Sequence, residues 1–234
     1  LNPNAAIPSS IQSFVGAGAD SSDYLTYQLD LGWSSNNLNS RFTPTKGNFQ
    51  NLSLGIALPG GDLTYYRAVY TAQYFYPLNR DEDWVLGFRT RSGYADTLDS
   101  GAYPFFKNFF AGGLSTVRGF ANNSLGPRDG GDTIGGNILL TGSAQLFFPV
   151  PFADGAESWR TSLFVDAGNV YSSSCGGLDN CSESIDLSDM RLSAGVGLSW
   201  ITAVGPLTLS YAQAVNAQTG DETDAIQFAL GRTF

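Results

Sequence analysis

Three residues stand out for the chemistry they could do: Cys175, Cys181, and an arginine set in an apolar loop, Arg118. The chain has no histidine, which removes Ser/His/Asp hydrolysis, Cys/His nucleophiles and His-ligated metals. The cysteines lie in the polar stretch from Ser172 to Glu183, with no further Cys or His to complete a zinc site. They read as a small-loop disulfide formed in an oxidising compartment, or else as two free thiols. No catalytic residue, metal or cofactor is expected, and the chain does not read as an enzyme. Arg118 belongs to Phe109-Phe110-Ala111-Gly112-Gly113-Leu114-Ser115-Thr116-Val117-Arg118-Gly119-Phe120, which continues through Asn122-Asn123-Ser124-Leu125-Gly126-Pro127-Arg128-Asp129. This stretch has neither a period of 2 nor a helical period, and it is too long for an ordinary surface connection. Its apolar residues Phe109, Phe110, Leu114, Val117 and Phe120 argue that it packs inside something, with Arg118 anchored to an acid.

Composition narrows what that something is. With 12 Lys+Arg against 21 Asp+Glu the net charge is -9, and nucleic acid is excluded as a partner because phosphate binding needs clustered basic residues. Only 14% of residues are charged, against roughly 25% in soluble domains. No apolar run reaches the ~18 residues of a spanning helix. Leu1 begins no signal-peptide pattern, so the segment is expected to be mature protein or a piece of a longer chain.

The elements around the loop alternate. Residues 1 to 23 carry no regular pattern beyond a short turn expected at Ile11 to Val15. From Tyr24 on, Leu25, Tyr27, Leu29, Leu31 and Trp33 oppose Thr26, Gln28, Asp30 and Gly32, a strand with one apolar and one polar face. Similar strands are expected around Leu52 to Leu58, Tyr66 to Tyr76, Trp84 to Gly93, Ile138 to Phe148, Ser162 to Gly168, Met190 to Trp200, Leu207 to Ala212 and Ile226 to Phe234. That makes about nine, each near the ~9 to 11 residues a bilayer asks of a tilted strand.

A soluble sandwich also alternates, so the polar face must discriminate. It carries Gly, Ser, Thr and Gln with few charges, and the mid-strand charges Asp30, Arg67, Arg89, Arg91, Asp166 and Arg191 all fall on it. An Arg on the lipid side costs ~2 to 4 kcal/mol at the midplane, so this segregation is what a transmembrane barrel requires. Arg232 is the exception, placed near the chain end where it can snorkel. Trp33, Tyr76, Trp84, Tyr94, Trp200 and Phe234 sit at strand ends like barrel girdles. With the last strand ending at the periplasm, loops 96 to 134, 172 to 189 and 217 to 224 lie outside the cell.

Val117-Arg118-Gly119-Phe120 with Gly112-Gly113-x-Ser115-Thr116 before it and Gly126-Pro127 after it, Gly205-Pro206-Leu207, Ser210-Tyr211-Ala212-Gln213, and the ending Gln227-Phe228-x-Leu230-Gly231-Arg232-Thr233-Phe234 resemble the BamA family of outer-membrane β-barrel assembly factors. The resemblance runs from about Tyr24 to Phe234. It implies an all-β fold, a transmembrane antiparallel β-barrel of which this chain holds about nine C-terminal strands out of sixteen. Residues 1 to 23 are then an extracellular loop remnant, 96 to 134 a loop folded into the lumen, and the periplasmic POTRA domains are absent from the chain. It also implies that Arg118 pairs with an acid on the inner wall. Asp166 is the matching acid, and Gln145 stands where the family often has Glu, so the clamp around Val117, Arg118, Gly119 and Phe120 has one carboxylate and an amide. The last strand, through Phe228, Leu230, Gly231 and Phe234, is implied to be a lateral seam and a terminal signal, with Gly231 loosening it. The implied setting is the bacterial outer membrane. The implied partners are the lipid bilayer, nascent outer-membrane β-barrel proteins, and accessory lipoproteins reached through the POTRA domains. The implied function is folding and inserting such proteins; a two-partner-secretion transporter of the same superfamily is the alternative.

Overall fold

The computed structural model describes residues 11, 14, 23–99, 101, 103–150, 158–202 and 205–231. In chain order the strands are β1 (Tyr27–Asn36), β2 (Gly47–Leu58), β3 (Tyr65–Pro77), β4 (Val85–Thr97), β5 (Gly119–Phe120), β6 (Arg128–Asp129), β7 (Asp132–Thr133), β8 (Ile138–Phe148), β9 (Trp159–Tyr171), β10 (Arg191–Thr202), β11 (Gly205–Ala214), β12 (Thr223–Asp224) and β13 (Ile226–Leu230). Nine of them form one antiparallel sheet in the order β1-β2-β3-β4-β8-β9-β10-β11-β13. Every neighbour is the next long strand in sequence, the up-and-down connectivity of barrel walls. Among the described residues no helix is long and apolar enough to cross a membrane.

The register carries the alternation across the wall. Asn51, Thr71, Arg91, Thr141, Gly168 and Arg191 make one continuous row. Gln73, Arg89, Ser143, Asp166 and Ser193 make the next row on the same face. All six mid-strand charges therefore share one side of the sheet. The other side shows Leu29, Leu31, Trp33, Leu52, Tyr74, Phe88, Leu163, Val165, Val196, Leu209 and Phe228, all exposed. A continuous exposed apolar band of this kind is the lipid-facing wall of a barrel. At one rim Trp159 and Trp200 face each other in register and stack at 4.7 Å, and Trp84 stacks on Phe148 at 5.6 Å. These rings flank the short connections, as an interfacial girdle does.

Element boundaries differ from expectation most at the long loop and at the first and last strands. Asp96 and Thr97 pair with Tyr66 and Tyr65, so the long loop runs from 98 to 137 and not from 96 to 134. The first strand starts at Tyr27 and extends to Asn36. Among the described residues the last strand holds Ile226–Leu230, and Gly231 follows at φ +81°, a left-handed conformation that interrupts a strand and that glycine adopts without penalty. Gly231 thus limits the strand by its backbone conformation, beyond any loss of side-chain packing. Arg232 and Phe234 lie outside the described residues, as does nearly all of the segment 1–23.

The packed core lies inside the wall. Phe109, Ala111, Val117, Phe120 and Leu125 of the long loop are buried against Ala95, Leu139 and Val170 of the inner face. Phe109, Val117 and Phe120 thus do what their composition demanded, covering part of the inner face and being covered by it, whereas Phe110 is exposed and Leu114 half-buried.

Candidate functional site: the lumen loop and its seat

The loop is shaped locally before it is seated. Gly112 N–H donates to Thr116 Oγ1 at 2.9 Å, and that hydroxyl donates back to Gly112 O at 3.0 Å. Gly113 N–H donates to Val117 O at 3.1 Å and to Phe120 O at 3.0 Å. The Gly-Gly-x-Ser-Thr sequence therefore closes a compact turn that presents Val117, Arg118 and Phe120 to the wall. Gly119 has φ +86°, and a Cβ there would meet Ala212 Cβ at 3.2 Å. Both the backbone conformation and the close approach to β11 call for glycine between Arg118 and Phe120.

Arg118 is fully buried, as is Asp166. Arg118 Nε donates to Asp166 Oδ2 at 2.6 Å, Nη2 to Oδ1 at 2.7 Å, and the Arg118 backbone N–H to Oδ2 at 3.0 Å. This is the bidentate fork that guanidinium and carboxylate form best. Nη2 also donates to Ser143 Oγ at 3.0 Å. With the Gln145 amide oriented to present its oxygen, Oε1 accepts from Nη2 at 2.5 Å and from Nη1 at 2.8 Å. The face of the guanidinium lies 3.3 Å from the centroid of the Phe164 ring, a cation–π contact in a desolvated site. Arg118, Asp166 and Gln145, expected together, are together. Ser143 and Phe164 were missed. Register exposes both: Ser143 faces Asp166, and Gln145 faces Phe164. Phe164 is also an aromatic on the polar parity of its strand, a departure from alternation that marks an inward contact.

A second tie joins the loop to the end of the sheet. β5, which is Gly119–Phe120 itself, pairs antiparallel with β12, just before the terminal strand. Ala121 N–H donates to Glu222 O at 2.8 Å, and Gln227 Nε2 on β13 donates to Phe120 O at 2.7 Å. The pairing needs two short segments about a hundred residues apart, and no local pattern announces it.

The outer end is laced by further contacts. Arg191 Nε donates to Asp221 Oδ2 at 2.6 Å in a pair buried on both sides. Arg128 reaches Glu222 at 3.3 Å, but Glu222 is largely exposed. Cys175 and Cys181 form a disulfide, and Asp179 between them exchanges backbone hydrogen bonds with Arg128 at 2.8 and 2.9 Å. The disulfide-closed loop therefore lies on the distal part of the lumen loop, away from the Arg118 seat. Phe228 and Leu230 point outward, 78% and 60% exposed, and do not meet the clamp. Just past β4, hydrogen bonds from the Thr64 and Thr97 hydroxyls and the Gly101 N–H hold the Asp99 carboxyl down at about 2. At the opposite rim, Lys46 and Thr45 donate to Glu82 and lower its pKa. Among the described residues no cluster of His, Cys, Asp or Glu is arranged to hold a metal.

An up-and-down wall with charges on one face, an apolar band on the other and an arginine-anchored loop packed within defines an outer-membrane-type β-barrel domain with a lumenal plug. The chain belongs to the Omp85 superfamily: the model of the Omp85 superfamily domain matches residues 4–234. It is similar to the outer membrane protein assembly factor BamA of Neisseria meningitidis serogroup B, with 36% identity over 231 residues, covering 89% of this chain and 29% of that protein. A SAM50-like protein of Schizosaccharomyces pombe is 27% identical over 220 residues, covering 92% of this chain and 46% of that one. The crystal structure of BamA from Haemophilus ducreyi lacking POTRA domains 1-3 superposes with a TM-score of 0.81 at 34% identity, covering 86% of this chain and 41% of that chain. The chain thus spans less than half the length of these relatives. The BamA resemblance read from the motifs holds, and so does the barrel fold.

Proposed function

We propose that this chain is the C-terminal barrel portion of an outer-membrane β-barrel assembly factor. It folds and inserts nascent barrel proteins without chemical catalysis, from a bacterial outer membrane. The observation that carries this reading is the pairing of the Arg118 loop with the hairpin of the last strand, β5 on β12 with Gln227 on Phe120 O. A plug that served only to block a pore needs a seat on the wall; this one is also built into the edge at which a client strand would add. Among the described residues β13 shares five register pairs with β11, where the other neighbours in the nine-stranded sheet share ten or more. A strand so lightly held is a template for strand addition.

In this reading Phe228, Leu230, Gly231 and Phe234 form the lateral seam, and Val117, Arg118, Gly119 and Phe120 with Asp166 and Gln145 hold the loop that braces it. Cys175–Cys181 stiffens the outer loop 172–189. Accessory lipoproteins act through POTRA domains elsewhere in the protein. The secretion-transporter alternative is not favoured, because the Neisseria meningitidis relative is named an assembly factor.

The test uses the full-length protein in liposomes and follows how fast an unfolded outer-membrane protein becomes heat-modifiable. Acceleration over empty liposomes, lost when β13 and the residues after it are deleted, is the expected result. No acceleration together with steady release of an extended substrate overturns it.

A further inference from the structure

The lipid-facing wall carries a groove of about 640 Å³ across β2, β3, β4, β8 and β9. Its floor is one register row: Gln50, Ala72, Thr90, Gly142 and Ala167 are consecutive partners across five strands. From Ala72 to Ala167 every residue of that row is small, while Tyr70, Tyr74 and Phe88 rise beside it. A lipid-facing position asks for an apolar side chain, not a small one, and Leu52, Leu163 and Val196 elsewhere on this face are large. Small residues inside a membrane mark where something approaches the backbone closely. The space is real at its centre, because a Cβ built on Gly142 would meet nothing nearer than Arg89 O at 3.9 Å. The Thr90 hydroxyl donates to Thr141 O at 3.0 Å and is satisfied within the sheet.

One end of the groove is polar. Gln50 is the fourth residue of β2, close to the rim. Its Oε1 accepts from Tyr70 O–H at 2.9 Å, which leaves the amide nitrogen without an acceptor among the described residues. A donor on the lipid side of a barrel needs a partner that the bilayer or a ligand must supply.

We propose that this groove binds a single phospholipid, one acyl tail lying over Ala72, Thr90, Gly142 and Ala167 and a glycerol-ester or phosphate oxygen accepting from Gln50 Nε2. Three features select a lipid over a protein segment. The groove is in the middle of the wall, where backbone groups are already paired in the ladder, so an added strand would gain no main-chain hydrogen bonds. Neighbouring rows on one face are about 7 Å apart, which admits a hydrocarbon tail and excludes a helix about 10 Å across. Five strands span about 19 Å between the outer axes, the reach of a long acyl tail. The site is separate from the Arg118 seat and from β13, and it stands whether or not the assembly reading does.

The test is photolabelling of the full-length protein in nanodiscs with a phospholipid that carries a diazirine in one acyl tail, mapped by mass spectrometry. Labelling at Ala72, Thr90, Gly142 and Ala144 is expected to exceed that at Leu52 and Leu163 by about threefold, the size of a modest intramembrane contact. Gly142→Leu should reduce the excess to background with heat-modifiability intact. Ala144→Leu serves the same purpose if Gly142→Leu fails to fold, and Gln50→Leu should lower the labelling by weakening the head contact. Even labelling over the whole outward face overturns the proposal.

Discussion

The lumen loop and the terminal strand are neighbours held in opposite ways. Val117, Arg118 and Phe120 have no exposed surface, and their hold combines a buried ion pair, a stacked ring and a packed apolar cluster. Among the described residues β13 pairs with β11 over five residues, with Phe228 78% exposed. Burying a charge is tolerable only in a fixed, fully paired geometry, so the seat has to be rigid. A strand with few contacts opens at low free energy. Order is therefore concentrated where the loop meets the wall and sparser at β13, and the β5–β12 pairing lets the rigid part restrain the loose one.

The contrast can be broken most severely at Arg118. Arg118→Ala leaves Asp166 buried without its counter-charge, and a loss of about 3 to 5 kcal/mol in the stability of the loop's seat is expected. Amide exchange across residues 109–125 should rise sharply; unchanged protection would remove the distinction between the two regions. Phe120→Ala empties part of the loop–wall core and should cost about 3 kcal/mol, measured as a lower unfolding midpoint with Arg118 still protected. Gln227→Leu strikes the link alone. Losing the donor to Phe120 O should cost about 1 kcal/mol and speed exchange at Gly119 and Thr223 without disturbing the Arg118–Asp166 pair.

Acid should act first away from the seat. Because hydrogen bonds keep the Asp99 pKa at about 2, below an unfolded value of about 3.9, its contribution is complete above the unfolded value. It is lost as pH falls toward about 2. Exchange at Gly101 N–H, which donates to Asp99 Oδ1, should therefore rise through that window while the buried loop stays ordered. The smallest effect is expected for Glu222→Gln. Its partner Arg128 is buried but Glu222 is 66% exposed, so the change should be under about 0.5 kcal/mol in thermal melts. A larger loss would move part of the loop's anchoring from the Arg118 seat to the outer rim.

Much of the wall was legible because strand alternation and charge parity are local properties. Tyr27, Leu29, Leu31 and Trp33 declare an outward face within eight residues, and the same period places Arg89 and Asp166 inward. The apolar residues around Arg118 announced burial for the same reason: a solvated loop has no use for them. The interruption of the last strand at Gly231 is not legible, because that residue leaves the extended region through a backbone dihedral that the pattern of side chains does not encode.

By itself, then, the sequence determined the class of fold, the segregation of charge, the interior loop and an acid on the wall able to meet Arg118. Register decided the rest. Which inward residues surround the guanidinium, that Phe164 lies under it, that Gly119–Phe120 pairs with Thr223–Asp224, and that Ala72, Thr90, Gly142 and Ala167 align into one groove all depend on how strands far apart in sequence are set against each other. A slip of one residue would turn every one of these side chains to the other face. Only the assembled sheet, packed on its own loop, holds them where they are.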